Sequence, residues 1–160
     1  MNTPSPATIV ARDIMITKLV TLSPETDVFR GIEILVRHKI SGAPVVSASG
    51  SLLGIFSEKS CMQVLIDAAY ENLPTNSVSA FMDTNPQTIT ENTSFLTIAQ
   101  IFLNQPKRRL PVVKKTRLLG QVSRRDAIRA AAKSFVTTAE HHSTLLYLSA
   151  IHDMSAPPAV

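Results

Sequence analysis

With a single cysteine in 160 residues, Cys61, the chain cannot close an internal disulfide, which fits a reducing compartment. Cys61 stands in the apolar run Cys61-Met62-Gln63-Val64-Leu65, where a packed thiol is expected rather than a reactive one. Tryptophan is absent, and two tyrosines and six phenylalanines, mostly in core-like contexts, leave no evident stacking platform for nucleic-acid bases. Five glycines supply no phosphate-cradling loop, no nucleophile elbow surrounds Ser57 or Ser123, and no metal-ligand spacing occurs. An enzyme and a metal site are therefore both disfavoured. His141, His142, His152 and Asp153 form no matched ligand pattern and read as exposed helix residues. No apolar run is long enough to span a bilayer, and Met1-Asn2-Thr3-Pro4-Ser5-Pro6 lacks the regions of a signal peptide, so a cytoplasmic protein off the membrane is expected.

What the chain does have is a duplication. Residues 15–46 and 82–113 follow one template at an offset of 67, closing on Ala43-Pro44-Val45-Val46 and Leu110-Pro111-Val112-Val113. The turn that follows is one residue shorter in the second copy. The match then resumes at an offset of 66, with Leu52-Leu53-Gly54-Ile55-Phe56-Ser57 answering Leu118-Leu119-Gly120-Gln121-Val122-Ser123. Two copies are too few for an open array, so one pseudo-symmetric body with a ligand groove between its halves is expected. With 44% hydrophobic and 18% charged residues, such a body can bury a core.

Each copy reads as β-α-β-β-α, giving an α/β fold. Short strands at Leu19 to Leu22 and Gln87 to Thr90 lead into amphipathic helices over about 26–38 and 93–105. Their apolar positions are Val28, Phe29, Ile32 and Leu35, and Leu96, Ala99, Phe102 and Leu103. Pro106 closes the second helix. Two strands joined by a hairpin-length loop follow in each copy, then a helix beginning after Ser57 or Ser123. The expected units are 8–72 and 73–136, with a C-terminal helix and tail over 137–160. Residual apolar faces such as Ile34 with Val36, or Ile101 with Leu103, call for a homodimer.

Charge is uneven. Residues 1–74 carry six Lys and Arg against seven Asp and Glu, whereas residues 75–160 carry ten against five, so the excess of +4 belongs to the second half. Such a basic cluster attracts either a polyanion or one phosphorylated ligand. Ser57 and Ser123 suit helix N-caps, and Asp126, three places on from Ser123, suits a capping box. A carboxylate there equally presents two acceptors to a ribose 2′,3′-diol.

The Thr/Ser-Pro helix entry, Ile40-Ser41-Gly42-Ala43-Pro44-Val45-Val46, the hairpin, and the Gly-apolar-apolar-Ser-x-x-Asp ending, repeated in one order, resemble the cystathionine beta-synthase (CBS) domain. Two in tandem resemble a CBS pair over about Ile14 to Ala132. The resemblance implies a stand-alone regulatory module that binds AMP, ADP, ATP or S-adenosylmethionine between its repeats, requires no cofactor, and signals to an effector protein. It also implies dimerisation into a flat disc. Carried over by position, Ser23 and Val28 flank the adenine, Ile40 and Ser41 meet it through backbone groups, Gln121 borders base or ribose, and Ser123 sits beside Asp126, which grips the ribose. Arg108 and Arg109 take the phosphate. Ser60 replaces the ribose acid in the first copy and Ser41-Gly42 replace the arginine pair, so one competent and one degenerate cleft are expected. A basic nucleic-acid binder and a ligand-free dimerisation scaffold are the alternatives, the former disfavoured because no recognition-helix motif appears.

Overall fold

The computed structural model of the protein describes residues 8–71 and 76–134. Its elements run α1 (Ala11–Ile14), α2 (Val28–His38), β1 (Gly42–Val46), β2 (Leu52–Ser57), α3 (Glu58–Ala69), a 3-10 turn at Val78–Ala80, α4 (Phe95–Asn104), β3 (Arg109–Lys114) and β4 (Arg117–Ser123). A closing helix, α5, covers 124–134. The C-terminal helix expected over 137–160, with its histidines, lies outside the described residues. No helix among the described residues is long and apolar enough to cross a membrane.

The helices start where side chains satisfy their first N–H groups. Asp27 Oδ1 accepts from Phe29 N at 2.9 Å and Arg30 N at 3.1 Å, and Ser94 Oγ accepts from Thr97 N at 3.2 Å. Helix α2 stops at Lys39, whose φ of 53° is left-handed, and α4 stops at the extended Gln105 before Pro106.

Strands β1 and β2 pair antiparallel, as do β3 and β4, and each hairpin breaks register at the equivalent place, between Val45 and Val46 or Val112 and Val113. The leading strands expected at Leu19 to Leu22 and Gln87 to Thr90 shrink to single parallel bridges, Leu22 with Val45 and Ile89 with Val112. A helix-entry turn follows each at once, with Thr26 N donating to Ser23 O at 3.1 Å and Thr93 N to Thr90 O at 3.1 Å, so only one pairing fits.

The repeats exchange segments. Val28 N donates to Asn76 O (2.7 Å) and Val78 N to Thr26 O (2.8 Å), tying the start of the second unit to the first helix entry. In mirror fashion, Phe95 N donates to Ile9 O (2.9 Å) and Ala11 N to Thr93 O (2.9 Å). One core accordingly joins Val78 to Leu22, Val28, Val45, Phe56 and Val64, while the other joins Ile9 and Ala11 to Ile98, Leu110, Val112 and Val122. The expected boundary near 72–73 therefore follows the sequence repeat and cuts across the packed units.

Two equivalent glycines permit this exchange. A Cβ on Gly54 would stand 2.5 Å from Asp83 O, and one on Gly120 would stand 2.7 Å from Ile16 O. Bare backbone at both points lets the crossing segment pair with β2 or β4: Ile55 with Asp83, and Ile16 with Gln121. The hairpin tips also meet, through Leu52 N to Thr116 O (2.9 Å) and Leu118 N to Gly50 O (3.1 Å).

The helix faces differ from expectation in one respect. In α4 the buried positions are Phe95, Ile98 and Phe102, whereas Leu96 and Leu103 face out. In α2, Val28, Gly31 and Leu35 are buried and Phe29 is exposed. Ile34 and Ile101 pack against the cores, so Val36 and Leu103 carry the residual apolar surface without them. The periodicity marked both faces of each helix as apolar; contact with the hairpin decides which one is covered.

Candidate functional site

Two clefts lie where the hairpins of the two halves face each other, related by the internal pseudo-symmetry. The smaller, about 270 Å³, is lined by residues that include Leu19, Val20, Ile40, Pro44, Ser123 and Asp126. The larger, about 400 Å³, collects their counterparts Pro86, Gln87, Lys107, Pro111 and Ser57, with Ser41 and Arg108 beside them. Gly42, Arg109 and Gln121 line both. Gly42 and Arg109 are equivalent positions at the starts of β1 and β3, so where one hairpin offers no side chain the other offers a guanidinium.

Of the residues expected in one site, the structure brings together Ile40, Arg109, Gln121, Ser123 and Asp126. Ser41 and Arg108 line the larger cleft instead. Each precedes a strand, where consecutive side chains face opposite ways, and each lends its carbonyl to the next helix: Ser41 O accepts from Glu58 N (3.0 Å), and Arg108 O from Arg124 N (3.2 Å). Ser23 lines a separate groove with Pro24, Ser47 and Ala48. Val28 is fully buried within the first core and has no surface to offer a ligand. The two arginines thus share the larger cleft, and of the pair only Arg109 also lines the acid-bearing one.

The Ser123–Asp126 element is a capping box. Asp126 Oδ2 accepts from Ser123 N at 2.9 Å and from Ser123 Oγ at 2.6 Å, while Asp126 N donates to Ser123 Oγ at 3.1 Å. Both Ser123 donors converge on one carboxylate oxygen. Among the described residues the other, Oδ1, has only Arg129 Nη1 at 3.6 Å, an ion pair beyond hydrogen-bond reach. The carboxylate is thereby held at one oxygen and left with acceptor capacity at the second. In the first repeat Ser60 keeps the same box in weaker form, with Ser57 N donating to Ser60 Oγ at 3.2 Å and Ser60 N to Ser57 Oγ at 3.4 Å. The local structure survives the change from acid to hydroxyl; the anionic acceptor does not.

The larger cleft has another character. Lys59, Lys107, Arg108 and Arg109 line it with Glu58 and Asp83, and Lys107 Nζ stands 3.6 Å from Asp83 Oδ2. Gln87, whose counterpart Val20 lines the smaller cleft, lines this one, and its side-chain oxygen is buried and has no hydrogen-bond partner among the described residues. A buried acceptor left unmatched is costly, and Gln87 is the site residue that repeat-matching overlooked. Its signal was a polar residue standing where the first copy has valine.

Against known proteins, the family model described as CBS domain matches twice, over residues 11–67 and 78–133. An uncharacterised protein of Methanocaldococcus jannaschii is 26% identical over 118 residues, 74% of this chain and 41% of that one. An A-adding tRNA nucleotidyltransferase of Geobacter sulfurreducens is 28% identical over 119 residues, 74% of this chain and 13% of that one. The chain thus spans less than half the length of these two relatives. Among solved structures, CBSX2, a CBS-pair protein from Arabidopsis thaliana solved in complex with AMP, has a TM-score of 0.70 and 26% identity, covering 78% of this chain and 96% of that one.

Proposed function

The chain belongs to the CBS domain family, as a tandem pair of its repeats, and from that premise we propose that it is a non-catalytic regulatory module of the cytoplasm that binds an adenosine nucleotide between them. The observation that carries this reading is the half-satisfied carboxylate of Asp126. Ser123 occupies one oxygen and orients the group, so the second keeps the capacity to accept from a ribose diol, with Arg109, paired to Ser123 in the β3–β4 hairpin, lining the same cleft for a phosphate. The AMP held by the similar CBSX2 supports this ligand class. Binding to one wall from each half changes how the halves sit, and a partner protein reads that state. The exposed apolar helix faces of both repeats support a homodimer.

Calorimetric titration with AMP tests the assignment through Asp126→Asn. Ser123 donates to the group at position 126, so the asparagine oxygen is drawn to Ser123 and its NH₂ turns toward the diol, a donor facing donors. Affinity is expected to fall ten- to a hundred-fold, about 1.5–3 kcal/mol. Unchanged affinity would reduce Asp126 to a helix cap.

A second reading of the larger cleft has its own observation, the cations Lys59, Lys107, Arg108 and Arg109 that line it. A phosphorylated ligand suits them, and with Ser60 in place of an acid this repeat offers no anionic acceptor for a diol.

A further inference from the structure

Resting on the nucleotide reading above, we infer that the two clefts bind phosphorylated ligands antagonistically, because Arg109 is the one guanidinium that both share. An oligophosphate chain in the larger cleft draws Arg109 away from a nucleotide phosphate in the acid-bearing one. For most wall positions the duplication supplies each cleft with its own copy, Pro44 and Ser123 in the smaller against Pro111 and Ser57 in the larger. At Gly42 and Arg109 that division fails. The two positions are equivalent and each lines both clefts, but only one of them carries a side chain, so a single guanidinium serves two openings.

The surroundings of Arg109 leave it uncommitted. It starts β3 opposite Ser123, the residue that holds Asp126, so its backbone is fixed beside the acid-bearing cleft. It is partly buried, yet its side chain makes no hydrogen bond or ion pair among the described residues, in contrast to Lys107 on Asp83 and Arg124 on the carbonyl of Gln105. A guanidinium on a flexible stem and without a partner follows whichever anion arrives. The clefts differ in what else they offer that anion. The acid-bearing cleft has Lys18 as its other cation beside Asp126, whereas the larger has Lys59, Lys107 and Arg108, offset by Glu58 and Asp83. An oligophosphate therefore finds more partners, and it keeps Arg109 when both clefts are filled. AMP then holds on through its ribose at Asp126 and loses a charge-assisted bond to its phosphate, so the antagonism is partial. Coupling of this kind is reciprocal, and AMP weakens the oligophosphate by the same factor.

Calorimetric titration of the full chain with AMP, at fixed ionic strength and rising concentrations of inorganic tripolyphosphate, tests this. Tripolyphosphate has no diol, so Asp126 gives it no hold. AMP affinity is expected to fall about ten-fold and then level off, while the affinity for adenosine, which has no phosphate to lose, stays constant. These two readings use the native chain and need no variant. In Arg109→Ala, AMP should be weaker from the outset and tripolyphosphate should shift it no further. A shift that persists in Arg109→Ala would assign the effect to repulsion between the ligands and overturn the proposal. So would an AMP affinity that falls without limit, the mark of one common site, or one indifferent to saturating tripolyphosphate. Failure of tripolyphosphate to bind at all would overturn it too. Each of those results leaves the nucleotide reading standing; a native chain that binds neither AMP nor adenosine would remove that reading itself.

Discussion

Asp126 shows why a capping residue and a binding residue are hard to tell apart from sequence. Both roles ask for a carboxylate three places after a serine, and the structure gives the two oxygens separate tasks, one spent on Ser123 and one not. Arg109 and Arg108 looked like a pair for one site because they are adjacent; both line the larger cleft, but only Arg109 also lines the acid-bearing one. Arg109→Ala should therefore weaken AMP several-fold more than adenosine, while Arg108→Ala leaves AMP at the acid-bearing cleft nearly unchanged; titration of both ligands against both variants checks this. Cys61 is buried on the inner face of α3, and desolvation, aided by Glu58, pushes its thiol above the usual range. The native state should resist iodoacetamide at neutral pH and react on unfolding. A raised acid favours the protonated native form, so its contribution to stability is complete below the unfolded thiol's pKa of about 8.5 and declines as pH rises above it. Urea midpoints taken across the alkaline range, against Cys61→Ala, would show the difference.

At the level of elements, hairpins and helices were legible because turn signals, Pro106 and alternating apolar residues act locally. Two things were not. Which stripe of α4 is buried depends on the hairpin beneath it, and Phe95 and Ile98 won that contact over Leu96 and Leu103. The crossing segments at 15–16 and 82–83 touch glycines far away in sequence, and only Gly54 and Gly120, recurring at equivalent positions, hinted at a close approach. Those glycines give a sharp expectation. Gly120→Ala should cost about 1–3 kcal/mol, since the new methyl meets the backbone oxygen of Ile16 and not a side chain that can swing away. Gly50, which has open space around it but a φ of 84°, should lose less on the same change, through backbone strain alone. Urea unfolding of the two variants provides the comparison.

For the whole molecule, the repeat announced two halves and a groove between them, and both are present, whereas the partition of the groove into two unequal clefts came from side chains that the copies do not share. The exchange of N-terminal segments has a further consequence. A single repeat taken alone is an open shape: the first half lacks Val78 over its core, and the second lacks Ile9 and Ala11. The linear order of the gene is thus not the order of the packed units, and a half-length chain can be completed only by borrowing from a second copy. Residues 76–134 expressed alone should accordingly appear as a dimer in which each strand lends Val78 to its neighbour, and addition of a peptide spanning 8–16 should release it as a closed monomer. Light scattering with and without the peptide would show whether the present fold preserves, fused end to end, an association that once required two molecules.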